Sequence, residues 1–426
     1  MSPLIQPLRY FSVRILALFV ALFASYSANS FANNTAPKPE AVVSHYADLA
    51  FAIYSDALSS AEALQVAIER LLAAPNEAHL QAAKAAWREA RIPYQQSEVF
   101  RFGNPVVDDW EGKMNSWPLD EGLIDYVAPG YIHALGNIGA QLNIIANPKL
   151  QLGGTTIDAS NITPDLLRDL HELAGSEANV ATGYHAIEFL LWGQDLNGHQ
   201  PGAGERPWTD YAQGDNCTHG HCQRRGDYLR AATELLLEDL KYMVAEWSPE
   251  ANDNYRATLL SLPTDKALAR ILFGMGSLSL GELGGERIKV ALEANSTEDE
   301  HDCFSDNTHW SHYYNGVGIQ NIYLGRYTSL AGKQLSGPAI GDLVAAQNKD
   351  VDAATRQALE DTVRSLTALT KLAEREIDPM PFDRLIAEGN DTGAQLLSQI
   401  LDNLVVQTRQ LESAAAAIDI NPNATL

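Results

Sequence analysis

The chain is poor in cysteine, in basic residues and in long apolar runs. It has three Cys, and 30 Lys and Arg stand against 54 Asp and Glu in 426 residues, giving a formal net charge of −24 at pH 7. This shortage of positive charge argues against nucleic acid and anionic membrane surfaces as partners, because both attract Lys and Arg. Hydrophobic residues make up 46% of the chain, which is ample for ordinary cores.

The longest apolar run lies near the N-terminus and is too short to span a membrane comfortably. It covers Ile15 to Ala24, follows Arg9 and Arg14, and precedes small residues that end in Ser30-Phe31-Ala32. A basic start, a short apolar core and an A-x-A-like site are typical of a secretory signal peptide. We therefore predict a signal over 1–32 and an exported acidic protein with no integral membrane segment after its removal.

The three cysteines predict one short disulfide. In an oxidising compartment Cys217 and Cys222 are the natural pair, with Cys303 left over, although pairing of Cys303 with either one stays open. Cys217 and Cys222 also flank His219 and His221, so a soft-metal site is a second interpretation. One short loop rarely supplies a closed tetrahedral site, which favours the disulfide.

Apolar residues recur at helical spacing through most of the remaining sequence, and alternating strand patterns are nearly absent. The pattern predicts an all-α fold of two four-helix-bundle-like halves. We expect an N-terminal bundle over 33–200, a Cys/His/Gly-rich connection over 201–226, and a C-terminal bundle over 227–426. The predicted helices cover 41–74, 77–100 with a kink or an interruption at Pro93, 131–146, a segment from Thr163 through His185, 228–247, 264–294, 319–330, 351–377 and 392–417.

A repeated spacing predicts that the two halves arose by internal duplication. Gly183 precedes Glu188 by five residues, and Gly281 precedes Glu286 by five. The second copy has Leu283 where the first has His185. In this interpretation one half kept the imidazole, and the other kept only the carboxylate.

The stretch Gly183-Tyr184-His185-Ala186-Ile187-Glu188 carries the main candidate site. Its His and Glu are three residues apart in a segment with the pattern of a buried helix, so they share a face and can reach one ion. A buried carboxylate needs a partner. Either His185 and Glu188 satisfy each other in the core, or both bind a metal whose other ligands come from facing helices.

Further candidates lie elsewhere in the chain. Glu98 stands among Val and Phe and is either an ion-pair partner of Arg101 or a third metal ligand. Asp120 and Glu121 lie in a loop with bulky apolar neighbours, and the repeated spacing adds Glu286.

Carboxylates and imidazoles are also dense from Glu298 to His309 and at His312. The segment lacks the glycine hinge and ordered spacing of an EF-hand. It is either a group of metal ligands or a solvated acidic loop with Ser305 or Asp306 as a helix cap.

Several catalytic motifs are absent from the sequence. There is no H-E-x-x-H, and the inverted H-x-x-E-H fails because Phe189 stands where its second His belongs. A nucleophile elbow, a Walker loop and a dinucleotide fingerprint are also missing. A metallopeptidase would need a third ligand, a general base and an oxyanion stabiliser that the sequence does not point to.

Taken together, these motifs resemble the imelysin family and its iron-regulated protein A-like branch. The matching stretches are the G-x-H-x-x-E motif at 183–188, Trp87 to Tyr94, Ser97 to Gly103, Trp117 to Asp125, and Gly281 to Asn321. The resemblance implies a bacterial protein of the periplasm or outer surface, built from two helical halves. It also implies a link to iron uptake, a protein partner in iron transport, and a metal site at His185 and Glu188 near the junction of the halves.

We predict an exported, iron-associated metal-binding protein that takes part in iron uptake or homeostasis. His185 and Glu188 form the core of the predicted site, with Glu98 and Glu286 as further participants. The expected cofactor is a divalent metal, with iron favoured over zinc, taken up as an ion or as an iron chelate. Two rival interpretations are a metal-dependent peptidase of the imelysin type and a non-catalytic scaffold in which the His/Glu pair is structural.

Overall fold

Long α-helices make up most of the fold, which confirms the all-α prediction. The computed structural model describes residues 36–422, so the predicted signal over 1–32 lies outside the described residues. Residues from Pro37 onward belong to one compact unit. Across 36–422, no helix combines the length and the apolar character needed to cross a membrane.

The α-helices are α1 (Pro39–Ala73), α2 (Glu77–Ser97), α3 (Pro105–Asn115), α4 (Pro164–Leu170), α5 (Gly183–Trp192), α6 (Cys222–Trp247), α7 (Tyr255–Ser261), α8 (Thr264–Gly276), α9 (Val290–Ala294), α10 (Thr308–Leu324), α11 (Ile340–Gln347), α12 (Lys349–Ala373), α13 (Phe382–Leu385) and α14 (Asp391–Ala417). A π-helix, Ser277–Lys289, joins α8 to α9. Strand β1 (Lys149–Leu152) pairs antiparallel with β2 (Thr155–Asp158), and β3 (Arg326–Thr328) pairs antiparallel with β4 (Gln334–Ser336).

Local sequence signals account for several helix ends. The side chain of Asn76 accepts a hydrogen bond from the backbone of His79 and caps α2, and Thr163 caps α4 in the same way. The helix α2 continues through Pro93 to Ser97, so an interruption there is wrong, while a kink at Pro93 stays a prediction. A proline lacks an N–H and its ring crowds the carbonyl four residues earlier, so the packing around the buried Pro93 has to maintain the helix at this point.

The segment predicted as helical from Thr163 through His185 is divided into two helices. α4 ends at Leu170, and α5 begins only at Gly183, where the backbone has φ +80°. This left-handed region suits glycine, and a Cβ built at Gly183 would lie 2.4 Å from the carbonyl oxygen of Met114. The glycine of the motif therefore lets α5 start in close contact with the end of α3.

The helix predicted over 131–146 is a series of turns instead. The carboxylate of Asp120 accepts hydrogen bonds from the backbone N–H of Ala134 and the side chains of Tyr131 and Asn137. Side-chain acceptors of this kind compete with helical hydrogen bonds for backbone donors. Asp120 thus has a structural role that its position in the sequence did not reveal.

Helices from both predicted halves contribute to the main apolar core. α1 packs on α2 and α6, and α5 packs on α2, α3 and α6. The core extends from Val42 to Ala415, and a second apolar cluster from Leu283 to Leu404 joins the π-helix to α9, α12, α13 and α14. The boundaries at 200 and 226 and the internal duplication stay predictions.

Two connections position the candidate site. α10 packs on both α2 and α12, and it carries the preceding segment 298–307 against α2 and α5. At the start of α6 the structure has a disulfide between Cys217 and Cys222, while Cys303 has a free thiol.

Candidate metal centre

His185 and Glu188 contact each other on α5, and both side chains are almost completely buried. Nδ1 of His185 lies 2.9 Å from Oε2 of Glu188. The other carboxylate oxygen, Oε1, accepts hydrogen bonds from the backbone N–H and the hydroxyl of Ser305, at 3.0 and 2.7 Å. In the tautomer that carries its hydrogen on Nδ1, His185 donates to Oε2 of Glu188. Nε2 of His185 is then a free acceptor, and it has no hydrogen-bond partner in the described structure.

His301 and Asp302 approach this pair from the segment before α10. The rings of His185 and His301 meet edge to face with their centroids 4.9 Å apart. His185, His301 and Asp302 each offer a ligand atom within 4.8 Å of the other two, and all three are buried. Nδ1 of His301 also lacks a hydrogen-bond partner among the described residues.

Asp302 is held in place by donors from α2 and α10. Nη2 of Arg91 donates to its Oδ1 at 2.7 Å, and Asn307 and Ser311 donate to its Oδ2. Burial opposes the ionisation of Asp302, but the Arg91 guanidinium and the hydrogen bonds from Ser311 and Asn307 act together to lower the pKa of the carboxyl. An ionised carboxylate can accept about four hydrogen bonds, so one lone pair of Asp302 remains for a further partner.

Both imidazoles are in the neutral form that binds metals. Burial, assisted by the charge of Arg91, lowers the pKa of His185 to about 3. Burial and the nearby arginines also lower the pKa of His301 well below its usual value. Burial raises the pKa of Glu188, and the hydrogen bonds from Ser305 oppose that shift. Donation of the His185 hydrogen to a carboxylate resembles the outer contacts that orient metal-binding histidines.

A cavity of about 10 Å³ lies against the two imidazoles. Trp117, Glu121 and Cys303 also line it, and one oxygen of Glu121 has no hydrogen-bond partner among the described residues. Burial raises the pKa of Glu121 to about 7. A space of this size suits one water molecule or one ion.

A second cavity, of about 770 Å³, is lined by side chains that bond to the cluster. Arg91, Ser305 and Ser311 line it, and each of them also bonds to Asp302 or Glu188. Trp310 and Tyr314 supply aromatic surface on its wall. The buried cluster is thus one side chain away from a space that could admit a small molecule.

Glu98 lies next to the cluster in a network of its own. Its carboxylate accepts two hydrogen bonds from Arg287, at 2.6 and 2.9 Å, and one each from Asn115 and Asn315. The side chain of Arg101, its predicted alternative partner, pairs instead with Asp108 and Glu111. Asn115 also lies 3.3 Å from Nε2 of His301 and so connects the two networks. The ligand role of Glu98 stays a prediction.

Glu286 is exposed and lines a surface depression with Leu280 and Glu412. Within residues 36–422, neither Glu286 nor Glu98 forms a hydrogen bond with His185. The ligand role of Glu286, like that of Glu98, therefore stays a prediction. The neighbouring residue Arg287 is the one that turns inward from the π-helix.

The interpretation of 298–309 as a solvated loop is wrong at its centre. Glu300, His301 and Asp302 are at most 1% exposed. The density of ligand residues in the sequence did mark this segment, but nothing in it indicated which side chains face His185. The apolar pair Cys303-Phe304, directly after Asp302, is the local signal that the segment enters the core.

The fold is helical, and it buries two imidazoles and a carboxylate close enough to one another to bind a single ion. These features define a helical protein with a candidate metal centre. The chain belongs to the imelysin family: the family model, described as imelysin and peptidase M75, matches residues 50–411. This match confirms the resemblance seen in the sequence.

Individual relatives agree with the family. The chain is 38% identical to "Iron-regulated protein A" of Synechococcus elongatus over 71 residues, 16% of this chain and about a fifth (20%) of that protein's length. A structure from Parabacteroides distasonis, described as an iron-regulated protein A precursor, matches with a TM-score of 0.66 at 18% identity and covers 91% of this chain and 97% of its own. An imelysin-like protein from Psychrobacter arcticum matches with a TM-score of 0.59 at 16% identity, over 90% and 96% of the two chains. At these identities the structural matches concern the fold.

Proposed function

We propose that this chain is an exported, iron-associated metal-binding protein that acts in iron uptake or homeostasis. His185, His301 and Asp302 hold the metal, and Glu188 orients His185. The observation that supports the proposal most directly is that these three ligand atoms lie close together in the core. In addition, Nε2 of His185 has no hydrogen-bond partner among the described residues. A buried polar atom without a partner is unfavourable, and a metal ion would satisfy it.

The donor set fits iron. Two imidazoles and one carboxylate are the protein ligands of many non-haem Fe(II) sites, and the same types of donor also bind Zn(II). The name of the Synechococcus relative and the family favour iron over zinc. A bound metal would supply positive charge to the cluster and open positions for further ligands. Arg91, Asn307 and Ser311 would keep Asp302 in place around it.

The two cavities suggest the form in which iron arrives. The 10 Å³ space beside His185 and His301 has room for a single ion. The 770 Å³ cavity has room for a chelator, and its wall includes Arg88, Arg91 and Trp310. We therefore propose that iron is delivered as a chelate through the large cavity and is bound as an ion by His185, His301 and Asp302. We place the protein in the periplasm or on the outer surface, with a protein partner in iron transport.

The geometry favours binding over peptide hydrolysis. Glu188, the carboxylate of the motif, is already hydrogen-bonded to His185 and Ser305, so it is not free to act as a general base. Glu121 is the carboxyl that faces the small cavity with an unpartnered oxygen, but that cavity has no room for a peptide. The peptidase and the scaffold remain the rivals that the experiment must separate.

The test is iron analysis of the purified chain after loading with Fe(II) without oxygen and removal of unbound metal. We expect about one iron per wild-type chain and a large loss in His185→Ala and His301→Ala, because each removes a ligand. His133→Ala is the matched control, since His133 lies outside the cluster and contacts the backbone of Ala134 and the ring of Tyr131. Equal iron in all four proteins would refute the proposal.

Casein hydrolysis by the same proteins separates the rivals. Activity that is lost in His185→Ala, while its helical content is unchanged, would support a peptidase. If neither iron binding nor hydrolysis depends on His185 or His301, these histidines are structural. That result would support the scaffold interpretation.

A further inference from the structure

A second group of carboxylates lies apart from the candidate metal centre. Asp195 is in the loop after α5, Asp306 is in the segment before α10, and Asp383 is in α13. Each offers an oxygen within 4.8 Å of the oxygens of the other two. We infer that Asp195, Asp306 and Asp383 form a second cation site, which binds Ca²⁺ and fastens these three parts of the chain together.

Asp383 is the strongest evidence for a missing partner. Its side chain is fully buried, and neither of its carboxylate oxygens has a hydrogen-bond partner in the described structure. Asp306 also has one buried oxygen without a partner, as does Glu300 nearby. Several carboxyls that share a buried space need a cation or protons, because an unpaired buried charge is very unfavourable.

The remaining contacts hold the carboxylates in place without neutralising them. Asn197 donates to Oδ1 of Asp195 from its backbone and its side chain, both at 2.8 Å, and Gly202 donates to Oδ2 of Asp306 at 3.2 Å. Nδ1 of His199 donates to the backbone oxygen of Asp383 at 2.9 Å and ties the loop to α13. Asp195 and Asp306 are therefore each held through one oxygen and leave the other available.

No basic side chain among the described residues forms an ion pair with any of the three carboxylates. The charges of Arg88 and Arg384 act on Asp306 and Asp383 by lowering their pKa values, but these arginines are engaged elsewhere. Arg88 donates to the backbone oxygen of Ser305, and Arg384 pairs with Asp378. Glu300 adds a further acidic group that interacts with Asp306 and Asp383. The cluster thus has several acidic groups that form no ion pair with the described residues.

The donor chemistry selects a hard cation. All three ligands are carboxylates, and an oxygen-only set suits Ca²⁺ or Mg²⁺ and disfavours the softer metals that bind imidazole. Ca²⁺ holds oxygens at about 2.3–2.6 Å, so two of its ligands can lie up to about 5 Å apart, whereas Mg²⁺ requires about 2.0–2.1 Å and tighter geometry. Three carboxylate ligands therefore favour Ca²⁺, because Mg²⁺ usually keeps several waters and binds through one or two carboxylates.

The position of the site suggests a structural role. Asp306 directly follows Ser305, which donates to Glu188 of the candidate metal centre. A cation on Asp306 would anchor the segment that also carries His301 and Asp302. The inference does not depend on the proposed function, since its ligands are different residues.

The test uses the full chain after treatment with EDTA and titration with CaCl₂ by calorimetry, with thermal unfolding in parallel. We expect Ca²⁺ to bind and to raise the melting temperature. Asp383→Asn should weaken Ca²⁺ binding by more than about tenfold and abolish the calcium-dependent shift. Asp402→Asn, the same change at an exposed position on α14, should behave like wild type.

Two further variants keep the result unambiguous. Asp195→Asn lies on a half-exposed loop and should also lose the calcium shift, so a folding defect of Asp383→Asn would not hide the outcome. His185→Ala should keep the shift, which separates this site from the proposed iron site. No Ca²⁺ binding by wild type up to about 1 mM, or equal binding by Asp383→Asn and Asp402→Asn, would overturn the inference. A shift with MgCl₂ as large as that with CaCl₂ would overturn the choice of calcium.

Discussion

Replacing Arg287 by methionine should lower the free energy of unfolding by about 3–5 kcal/mol. Arg287 and Glu98 are both almost fully buried, and their two hydrogen bonds join the π-helix to the end of α2. Burial alone would raise the pKa of Glu98, but the charge and hydrogen bonds of Arg287, together with Arg91 and Asn315, lower that pKa. The variant leaves a buried carboxylate with Asn115 and Asn315 as its remaining donors. Loss of one partner is more damaging than loss of both, because the other charge stays buried.

Urea unfolding followed by circular dichroism measures this effect in Arg287→Met, Glu98→Gln and the double variant. The double variant should lose less stability than the sum of the two single variants, because it contains no uncompensated charge. Glu98→Gln, once folded, should still bind iron. A loss below about 1 kcal/mol in Arg287→Met would refute the reasoning about the pair. Loss of iron in a stable Glu98→Gln would support the prediction that Glu98 is a metal ligand.

Two other predictions concern pH and the motif glycine. Burial raises the pKa of Glu111 from 4.5 to about 7, so the folded protein keeps a proton that the unfolded chain has lost. The protonated carboxyl of Glu111 therefore contributes its full stabilisation of the fold below pH 4.5. This contribution is lost as the pH rises to about 7. In urea unfolding at a series of pH values, Glu111→Gln should show a smaller decline over this range than wild type. Gly183→Ala should lose at least about 2 kcal/mol, because a Cβ there meets the Met114 carbonyl at positive φ.

Each of these predictions has a clear contrary result. An unchanged decline with pH in Glu111→Gln would show that another group causes it. For the glycine, Gly281→Ala is the matched control, since a Cβ at Gly281 has no other atom within 4 Å. Equal losses in Gly183→Ala and Gly281→Ala would contradict the account of how α5 begins.

The long helices could be predicted from the sequence, because the apolar spacing that indicates a helix is a local pattern. The predicted ranges 41–74, 264–294 and 392–417 correspond to α1, to α8 with the π-helix and α9, and to α14. The turns over 131–146 escaped prediction because Asp120, outside that segment, supplies the acceptor that holds them. Helical pattern cannot reveal an acceptor that the chain brings from elsewhere.

In the candidate site, too, local contacts could be predicted from the sequence and long-range contacts could not. The contact of His185 with Glu188 follows from their spacing on one helix, and it was one of the two arrangements that the sequence left open. Ser305 and Glu188 are 117 residues apart, and Arg287 and Glu98 are 189 apart. Contacts of this kind depend on how α10 and the π-helix pack on α2, which no local pattern specifies. His301 and Asp302 were therefore visible as a ligand-rich segment but not as partners of His185.

X-ray absorption spectroscopy of the iron-loaded chain tests the central claim most directly, because it reports the atoms bound to the metal. The account predicts a first shell of oxygen and nitrogen with the outer-ring signal of two imidazoles, reduced to one in His301→Ala. A spectrum with a single imidazole in wild type, unchanged by His301→Ala, would contradict the site built from His185, His301 and Asp302.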